Sequence, residues 1–238
     1  MPLLLLIETS TPACSVALAQ GGDVLAIKYL QEPRTQSSLL APLIRQLLKE
    51  QQIEISQCDA IAVSAGPGSY TGLRVGVSTA KGLCFGSEKP LIAIDSLQIM
   101  TQNCIDRMEG APSKKTTIIP MMDARRMEVY TARYNQNGQK MSATQALVIG
   151  ANSFLAELTL GTVVFTGDGA EKCRSLLSHP NALFVPLTPS ADGMREAAYQ
   201  AYQSKNFADL AYFEPFYLKE FVAKVTCKVL PLPPSTAP

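Results

Sequence analysis

Histidine is almost absent from this chain of 238 residues: His179 is the only one. That excludes zinc sites of the HExxH or Cys2His2 type, and any Ser-His-Asp triad built on another histidine. His179 itself lies in Ser178-His179-Pro180-Asn181, which reads as a surface turn. The six cysteines include no CxxC pair. Several stand in apolar runs such as Gly82-Leu83-Cys84-Phe85, so they read as buried free thiols of a reducing cytosol. One-sided charge is missing as well. Lys plus Arg is 21, Asp plus Glu is 20, and the net charge is +1. A balance this even gives no global electrostatic footprint for nucleic acid or an anionic membrane. The apolar start, Met1 to Ile7, has no basic flank and is broken by Glu8-Thr9-Ser10. It is too short to span a bilayer and lacks a secretory pattern, so a soluble cytoplasmic protein is expected.

Apolar residues are plentiful at 47%, enough to bury a sizeable core. The length fits one large domain or two small ones. Leu3 to Glu8, Cys14 to Gln20 and Val24 to Leu30 read as strands of a meander that turns at Gly21-Gly22-Asp23. A helix follows over Ser38 to Glu50, capped by Ser37 or Ser38, with Leu39/Leu43/Leu47 beside Leu40/Ile44/Leu48 as a broad apolar stripe. Pro42 fits that helix only in its first turn. Then come a strand at Asp59 to Ala65, a helix at Thr71 to Phe85, a strand at Leu91 to Ile94, and a helix from a Ser96 cap to Arg107. Gly110 to Thr116 is the expected boundary between a lobe at 1–109 and a lobe at 116–222. The second lobe repeats the order. Strands are expected at Thr117 to Asp123, Glu128 to Asn135 and Ala143 to Ile149, with a hairpin turn at Asn135-Gln136-Asn137-Gly138. Helices at Ser153 to Leu158, Ala170 to Ser178 and Ser190 to Ser204 alternate with strands at Thr162 to Thr166 and Leu183 to Pro186. The Pro-rich end, 223–238, reads as a flexible tail.

Two stretches could carry chemistry. Glu8-Thr9-Ser10-Thr11 puts an acid and hydroxyls at a strand end, where they can position a nucleotide phosphate and its magnesium. It reads equally as a strand end with Ser/Thr turn residues. Gly66-Pro67-Gly68-Ser69-Tyr70-Thr71-Gly72 lies between a strand and a helix N-terminus, where backbone N–H groups can meet an anion. It fits neither GxxxxGK[ST] nor GxGxxG, and a tight strand-to-helix turn explains it as well. Gly72, Gly76 and Ala80 recur at i, i+4 and i+8 and read as a packing seam. The helical glycine at Gly76 costs about 1 kcal/mol against alanine, which a close contact would offset. Asp123, Arg125 and Arg126 read as a polar cluster opening the second lobe, with either guanidinium forks for an anion or local salt bridges.

Ile7-Glu8-Thr9-Ser10-Thr11-Pro12-Ala13-Cys14-Ser15-Val16-Ala17-Leu18, Gly66 to Gly76 and Asp123-Ala124-Arg125-Arg126-Met127-Glu128-Val129-Tyr130 together resemble the TsaB (YeaZ) family, as does Pro215-Phe216-Tyr217-Leu218-Lys219. The resemblance spans residues 3 to about 220. It implies an α/β protein of the actin-like ATPase (ASKHA, ribonuclease H-like) fold, two lobes each with a mixed sheet flanked by helices. It implies the dimerization subunit of the bacterial complex that makes threonylcarbamoyladenosine beside the anticodon, in tRNAs reading ANN codons. The implied partners are the catalytic paralogue TsaD, which holds a metal with an HxxxH pair, and the ATPase TsaE. A homodimer is expected in isolation, and tRNA contact only through the complex. No catalytic residue and no metal ligand are assigned to this chain. Candidate cofactor contacts are Glu8, Thr9, Ser10 and Asp123. ATP or ADP and metal are expected on the partners or at a junction. The implied interface takes Leu40, Ile44, Gly72, Arg74, Gly76 and Ala80, from two helices that pair with the paralogue's two. Two positions depart from the pattern. The actin-like phosphate hairpin normally has aspartate and glycine where Glu8 and Ser10 stand, so the isolated chain is expected not to bind ATP tightly. Gln36 replaces a frequent histidine, so no imidazole role carries over. The alternatives are an ATP-dependent small-molecule kinase of the same fold, using Glu8 and Asp123, and a peptidase, for which no metal or nucleophile is visible.

Overall fold

The structure is a computed structural model describing residues 1–30, 36–108 and 115–219. The first half runs β1 (Leu3–Glu8), β2 (Cys14–Gln20), β3 (Asp23–Leu30), α1 (Gln36–Glu50), β4 (Ala60–Gly66), α2 (Tyr70–Ser87), β5 (Leu91–Asp95) and α3 (Ser96–Arg107). The second runs β6 (Thr117–Asp123), β7 (Glu128–Thr131), β8 (Tyr134–Asn135), β9 (Gln145–Val148), α4 (Leu155–Leu160), β10 (Val163–Thr166), α5 (Asp168–Glu171), β11 (Ala182–Val185) and α6 (Arg195–Gln203). The first sheet has the order β3-β2-β1-β4-β5, and the second β11-β10-β6-β7-β9 with β8 beside β6. Reversed, the second order matches the first strand for strand. In the first sheet β1 pairs antiparallel with β2 and parallel with β4; in the second β6 pairs antiparallel with β7 and parallel with β10. Apart from the two-residue β8, the strand-strand-strand-helix-strand-helix-strand-helix order is duplicated, which is the actin-like fold that the resemblance implied.

β1 reads as an unbroken apolar run because both faces of its sheet are covered. Leu5 and Ile7 face α1 and α2, packing with Leu40, Leu47, Val77 and Ala80. Leu4 and Leu6 face the other way, onto Ile99, Met194 and Ala198. α3 is shared: Ile99 packs on the first sheet, while Leu97, Met100 and Cys104 pack with Ile118, Met122 and Val164 of the second. Five cysteines, Cys14, Cys58, Cys84, Cys104 and Cys173, are free and buried, and burial pushes the Cys14 thiol up to about 12.

Several expected boundaries move. Ser37 and Ser38 lie inside the first turn of α1 rather than capping it, and Pro42 falls seven residues in, not in the first turn. Its ring cannot donate to the carbonyl four residues back, yet the helix runs on, held by Leu40, Ile44 and Leu47 in the core. Asp95, not Ser96, caps α3, its Oδ1 accepting from Leu97 N (2.8 Å) and Gln98 N (3.3 Å). The expected strand Glu128 to Asn135 splits at Arg133, whose N–H goes to the Ser142 hydroxyl instead of the ladder. The expected helix Ala170 to Ser178 shrinks to α5 followed by turns, with the N–H groups of Leu176 and Leu177 sharing the Cys173 carbonyl. The helix expected from Ser190 starts as a 3-10 turn, Ala191–Met194. His179 sits in its turn, Nδ1 accepting from Asn181 N. Residues 31–35, most of the expected boundary (110–114) and the expected tail (223–238, with Cys227) lie outside the described residues. No helix among the described residues is long and apolar enough to cross a membrane.

Asp95 also joins the halves: Oδ2 accepts from Lys140 Nζ at 2.6 Å. Asp95→Ala loses the cap and this ion pair and is expected to cost about 1–2 kcal/mol. Asp95→Asn, which keeps a capping oxygen, should cost less. Urea midpoints for the three proteins check the ranking, and equal losses for the two variants would contradict it.

Candidate functional site

The turn between β4 and α2 is built by close approach. Ser69 caps α2, its hydroxyl accepting from Gly72 N (3.2 Å), while its own N–H donates to the Ser10 carbonyl (2.6 Å). Gly68 has φ +157 and lies against that same carbonyl, so a side chain there would overlap it. Gly66, at φ +107, donates its N–H to Ser96 Oγ (3.1 Å) and lies against the Phe216 carbonyl. The Gly66–Pro67 peptide is cis. These contacts pin the β1–β2 hairpin, the glycine-rich turn and the C-terminal segment together. Between the halves they leave a cleft of about 560 Å³, lined by Ser10, Ser69, Asp123, Arg125, Tyr130 and Lys219 among others.

Of the four candidate cofactor contacts, Ser10 and Asp123 face this cleft. Glu8 and Thr9 do not. Glu8 is fully buried, Oε1 accepting from Ser10 N (2.5 Å) and Oε2 without a hydrogen-bond partner. Burial pushes its carboxyl up to about 7, against the opposing Ser10 and Ser64 hydrogen bonds. Thr9 donates its N–H to Ser64 Oγ (3.1 Å), and its unpartnered hydroxyl occupies the space that a Cβ at Gly76 would need.

That contact also relocates the small-residue seam. Gly72, Gly76 and Ala80 are buried, Gly76 against Thr9 and Ala80 in the core with Leu5 and Ile7, and Leu40 and Ile44 lie in the core beneath α1. Five of the six residues expected at a partner interface are thus buried in the chain itself, Ile44 among them although it also floors the groove between α1 and α2. Only Arg74 stands exposed. The outward side of α1 and α2 is formed by Arg45, Lys49, Ser78, Gly82 and Phe85, around a groove of about 680 Å³ floored by Ile44, Leu48, Ile53 and Leu83.

Asp123, Arg125 and Arg126 do sit together, but not as guanidinium forks on a carboxylate. Asp123 takes its charge partner from Lys172 and accepts from the backbone N–H of Arg125 (2.9 Å). Arg125 and Arg126 both have positive φ, +73 and +51. Two consecutive left-handed non-glycine residues store on the order of 1–3 kcal/mol each.

The feature least legible in the sequence is the C-terminal strap over 208–219. It starts on the edge strand, with Ala208 N donating to the Leu91 carbonyl (2.8 Å). It packs Leu210 and Phe213 under α2 and receives Lys81 Nζ on the Ala211 and Phe213 carbonyls (3.1 and 3.2 Å). Phe216 N then donates to the Ala65 carbonyl (2.7 Å), and Lys219 pairs with Glu128 of β7. The aromatic spacing in Phe213-Glu214-Pro215-Phe216-Tyr217 was the available signal. A nucleotide fits these residues poorly. The hairpin carboxyl is buried, and the strap backbone lies against the glycine-rich turn. Among the described residues, no three His, Cys, Asp or Glu side chains converge to hold a metal.

Comparison with known proteins places these features in context. Residues 31–227 match the family model described as TsaD, tRNA N6-adenosine threonylcarbamoyltransferase. The chain is 31% identical to the tRNA threonylcarbamoyladenosine biosynthesis protein TsaB of Escherichia coli over 229 residues, 92% of this chain and 96% of that one. It is 30% identical to TsaB of Haemophilus influenzae over 246 residues, 96% of this chain and 97% of that one. A crystal structure of YeaZ from Pseudomonas aeruginosa superposes with a TM-score of 0.76 at 29% identity, covering 92% of this chain and all of that one.

Two outcomes follow from the hairpin. Below about pH 4.5, the ordinary carboxyl value, Glu8 is protonated whether folded or not, and its burial carries no ionisation cost. As pH rises from 4.5 through 7 the unfolded state ionises first, so stability falls by up to on the order of 3 kcal/mol. Glu8→Gln should therefore gain stability relative to wild type between pH 4.5 and 8. A wild-type-to-variant difference that is the same at both pH values would contradict the burial. Likewise Gly76→Ala should destabilise the monomer by about 1–3 kcal/mol through overlap with Thr9. Gly82→Ala, where a Cβ meets nothing within 4 Å, should be neutral or stabilising by up to about 1 kcal/mol. Thermal melts of the pair decide it, and the reverse order would sink the packing assignment.

Proposed function

The chain belongs to the TsaB family, whose members act in tRNA threonylcarbamoyladenosine biosynthesis, and from that premise we propose that it is a non-catalytic assembly subunit. Its partners are a catalytic paralogue of the TsaD type and a TsaE-type ATPase. The observation that carries this is the match to two TsaB proteins at 30–31% identity over more than nine-tenths of the chain. The chemistry of the chain supports it. A single histidine cannot supply an HxxxH metal pair. Glu8 is buried away from the cleft, and Asp123 is engaged by Lys172. The kinase alternative needs both as free groups at a phosphate, and neither is free. Nucleotide and metal then belong to the partners or to a junction with them, and tRNA meets this chain through the complex.

The surface suited to assembly is the outward side of α1 and α2. Its groove is floored by apolar side chains, and Phe85 of α2 is 81% exposed. Two helices a side can nearly supply a standard interface of about 1,600 Å². The chain is expected to work in the cytoplasm with the tRNAs it serves.

Pull-down from a lysate of its own organism should retrieve a TsaD-type paralogue. The purified chain alone, given tRNA, threonine, bicarbonate and ATP, should make no threonylcarbamoyladenosine. Modification by the chain alone would overturn the non-catalytic role. Absence of the paralogue from the captured material would overturn the assembly role.

A further inference from the structure

β5 is an outer strand of the first sheet, so its residues turn their main-chain groups alternately to β4 and to the open side. Pro90 faces β4, its carbonyl accepting from Ile61 N (3.1 Å), which leaves Leu91 and Ala93 facing outward. The Leu91 carbonyl does take a bond from outside, from Ala208 N (2.8 Å), in an antiparallel bridge where the C-terminal strap sets out. Past that bridge no main-chain bond from a described residue reaches the outward N–H and C=O of Ala93. Such an edge is a template for another strand. It opens on a groove of about 870 Å³ between α3, α6 and the turn at 137–140. Ile94, Ala197 and Ala201 give the groove apolar surface, and Gln98, Gln102 and Gln200 line it with amides. Of its two charged side chains, Lys140 is already paired with Asp95 (2.6 Å), and Glu196 accepts from the Gln200 amide (2.8 Å). The groove therefore suits an extended segment with an apolar face and a positive charge.

The chain carries one. Lys224-Val225-Thr226-Cys227-Lys228-Val229-Leu230 follows the strap and precedes Pro231, the first proline of the end expected as a tail. Val225, Cys227 and Val229 alternate with Lys224, Thr226 and Lys228, the period of a strand with one apolar face. Its lysines complement the Glu196 carboxylate. The end of the strap puts the segment within reach. Lys219 is paired with Glu128 at the start of β7. At the other end of β7, Thr131 lies opposite Gln145, and the hydroxyl of the adjacent Thr144 accepts from Lys140 of the groove at 2.6 Å. The way from Lys219 to the groove is thus about the length of β7, roughly 14 Å. Extended chain over residues 220–223 spans it.

We propose that residues 224–230 of this chain dock in the groove as an added strand, antiparallel to β5, bonded to the main chain of Ala93 and with Val225, Cys227 and Val229 turned toward Ile94, Ala197 and Ala201. The segment enters beside Lys140 and runs back toward Leu91. Docked, it closes the edge of β5 against pairing with other chains. The proposal stands independently of the assembly reading above.

Cys227 reports on docking in the full chain, because Cys14, Cys58, Cys84, Cys104 and Cys173 are buried. A maleimide should label Cys227 at least about 10-fold more slowly than it labels a synthetic peptide of residues 220–232, since reaction must wait for local opening. The rate should not depend on protein concentration. Ala93→Pro removes the outward N–H and leaves the bonds to β4 in place, as proline on an edge strand does. It should bring labelling to within about 2-fold of the peptide. A thermal melt shows whether that variant folds. If it does not, Gln200→Trp takes its place, since Gln200 is exposed on α6 and a bulky ring there crowds the groove. Labelling of the wild-type chain at the peptide's rate overturns the proposal. So does slow labelling that the folded groove variant leaves unchanged, because the segment is then held elsewhere. Protection that fades on dilution assigns the segment to a second copy and overturns docking within one chain.

Discussion

The packing of Thr9 against Gly76 is the contact on which the rest of this molecule depends. It lets α2 lie close on the strand that opens the first sheet, and it turns the β1–β2 hairpin inward. Once the hairpin is turned, the Glu8 carboxyl has nowhere to go but the interior, and the Ser10 carbonyl becomes the acceptor for the N-terminus of α2. The glycines at 66 and 68 follow from the same constraint, since the hairpin and the strap press on the turn from two directions. A buried carboxyl with one unpartnered oxygen is an expensive feature. It persists here because closing the hairpin onto α2 completes the apolar packing on both faces of the central strand.

The functional consequence is that polar groups at the mouth of a cleft have been given over to holding the fold. In an open cleft, hydroxyls and an acid at a strand end would be free to meet phosphate and metal. Here Thr9 faces a helix, Glu8 faces the core, Asp123 is held by Lys172, and the strap crosses the glycine-rich turn. Beside the cleft, the outer sides of α1 and α2 remain accessible, with Arg45, Lys49 and Phe85 exposed on them. That distribution accords with the assembly role proposed above.

Much of the architecture was legible in the residues. The unbroken apolar run of β1, the Gly21-Gly22 turn and the 3.6-residue stripe of α1 each state their element directly, and the repeated element order implied two similar sheets. The helix-cap assignments were less legible, because Asp95 and Ser96 are adjacent and both can cap; only the Gly66 N–H, arriving from another strand, claims the serine. The direction of the small-residue seam was not legible at all. Gly72, Gly76 and Ala80 describe a face that something approaches closely, and periodicity cannot say whether that is a partner or the protein's own strand. Sequence resemblance marked residues 215–219 as characteristic but held no information on where a Pro-interrupted aromatic segment lies. Its contacts, to Ala65 and Glu128, are both distant in the chain.

Isothermal titration of the purified chain with ATP and magnesium tests most directly the claim that its hairpin and cleft serve the fold rather than a nucleotide. The account predicts no saturable heat through millimolar nucleotide, because Glu8 is buried, Asp123 is paired with Lys172 and the strap backbone lies against the glycine-rich turn. Stoichiometric micromolar binding by the chain alone would contradict it.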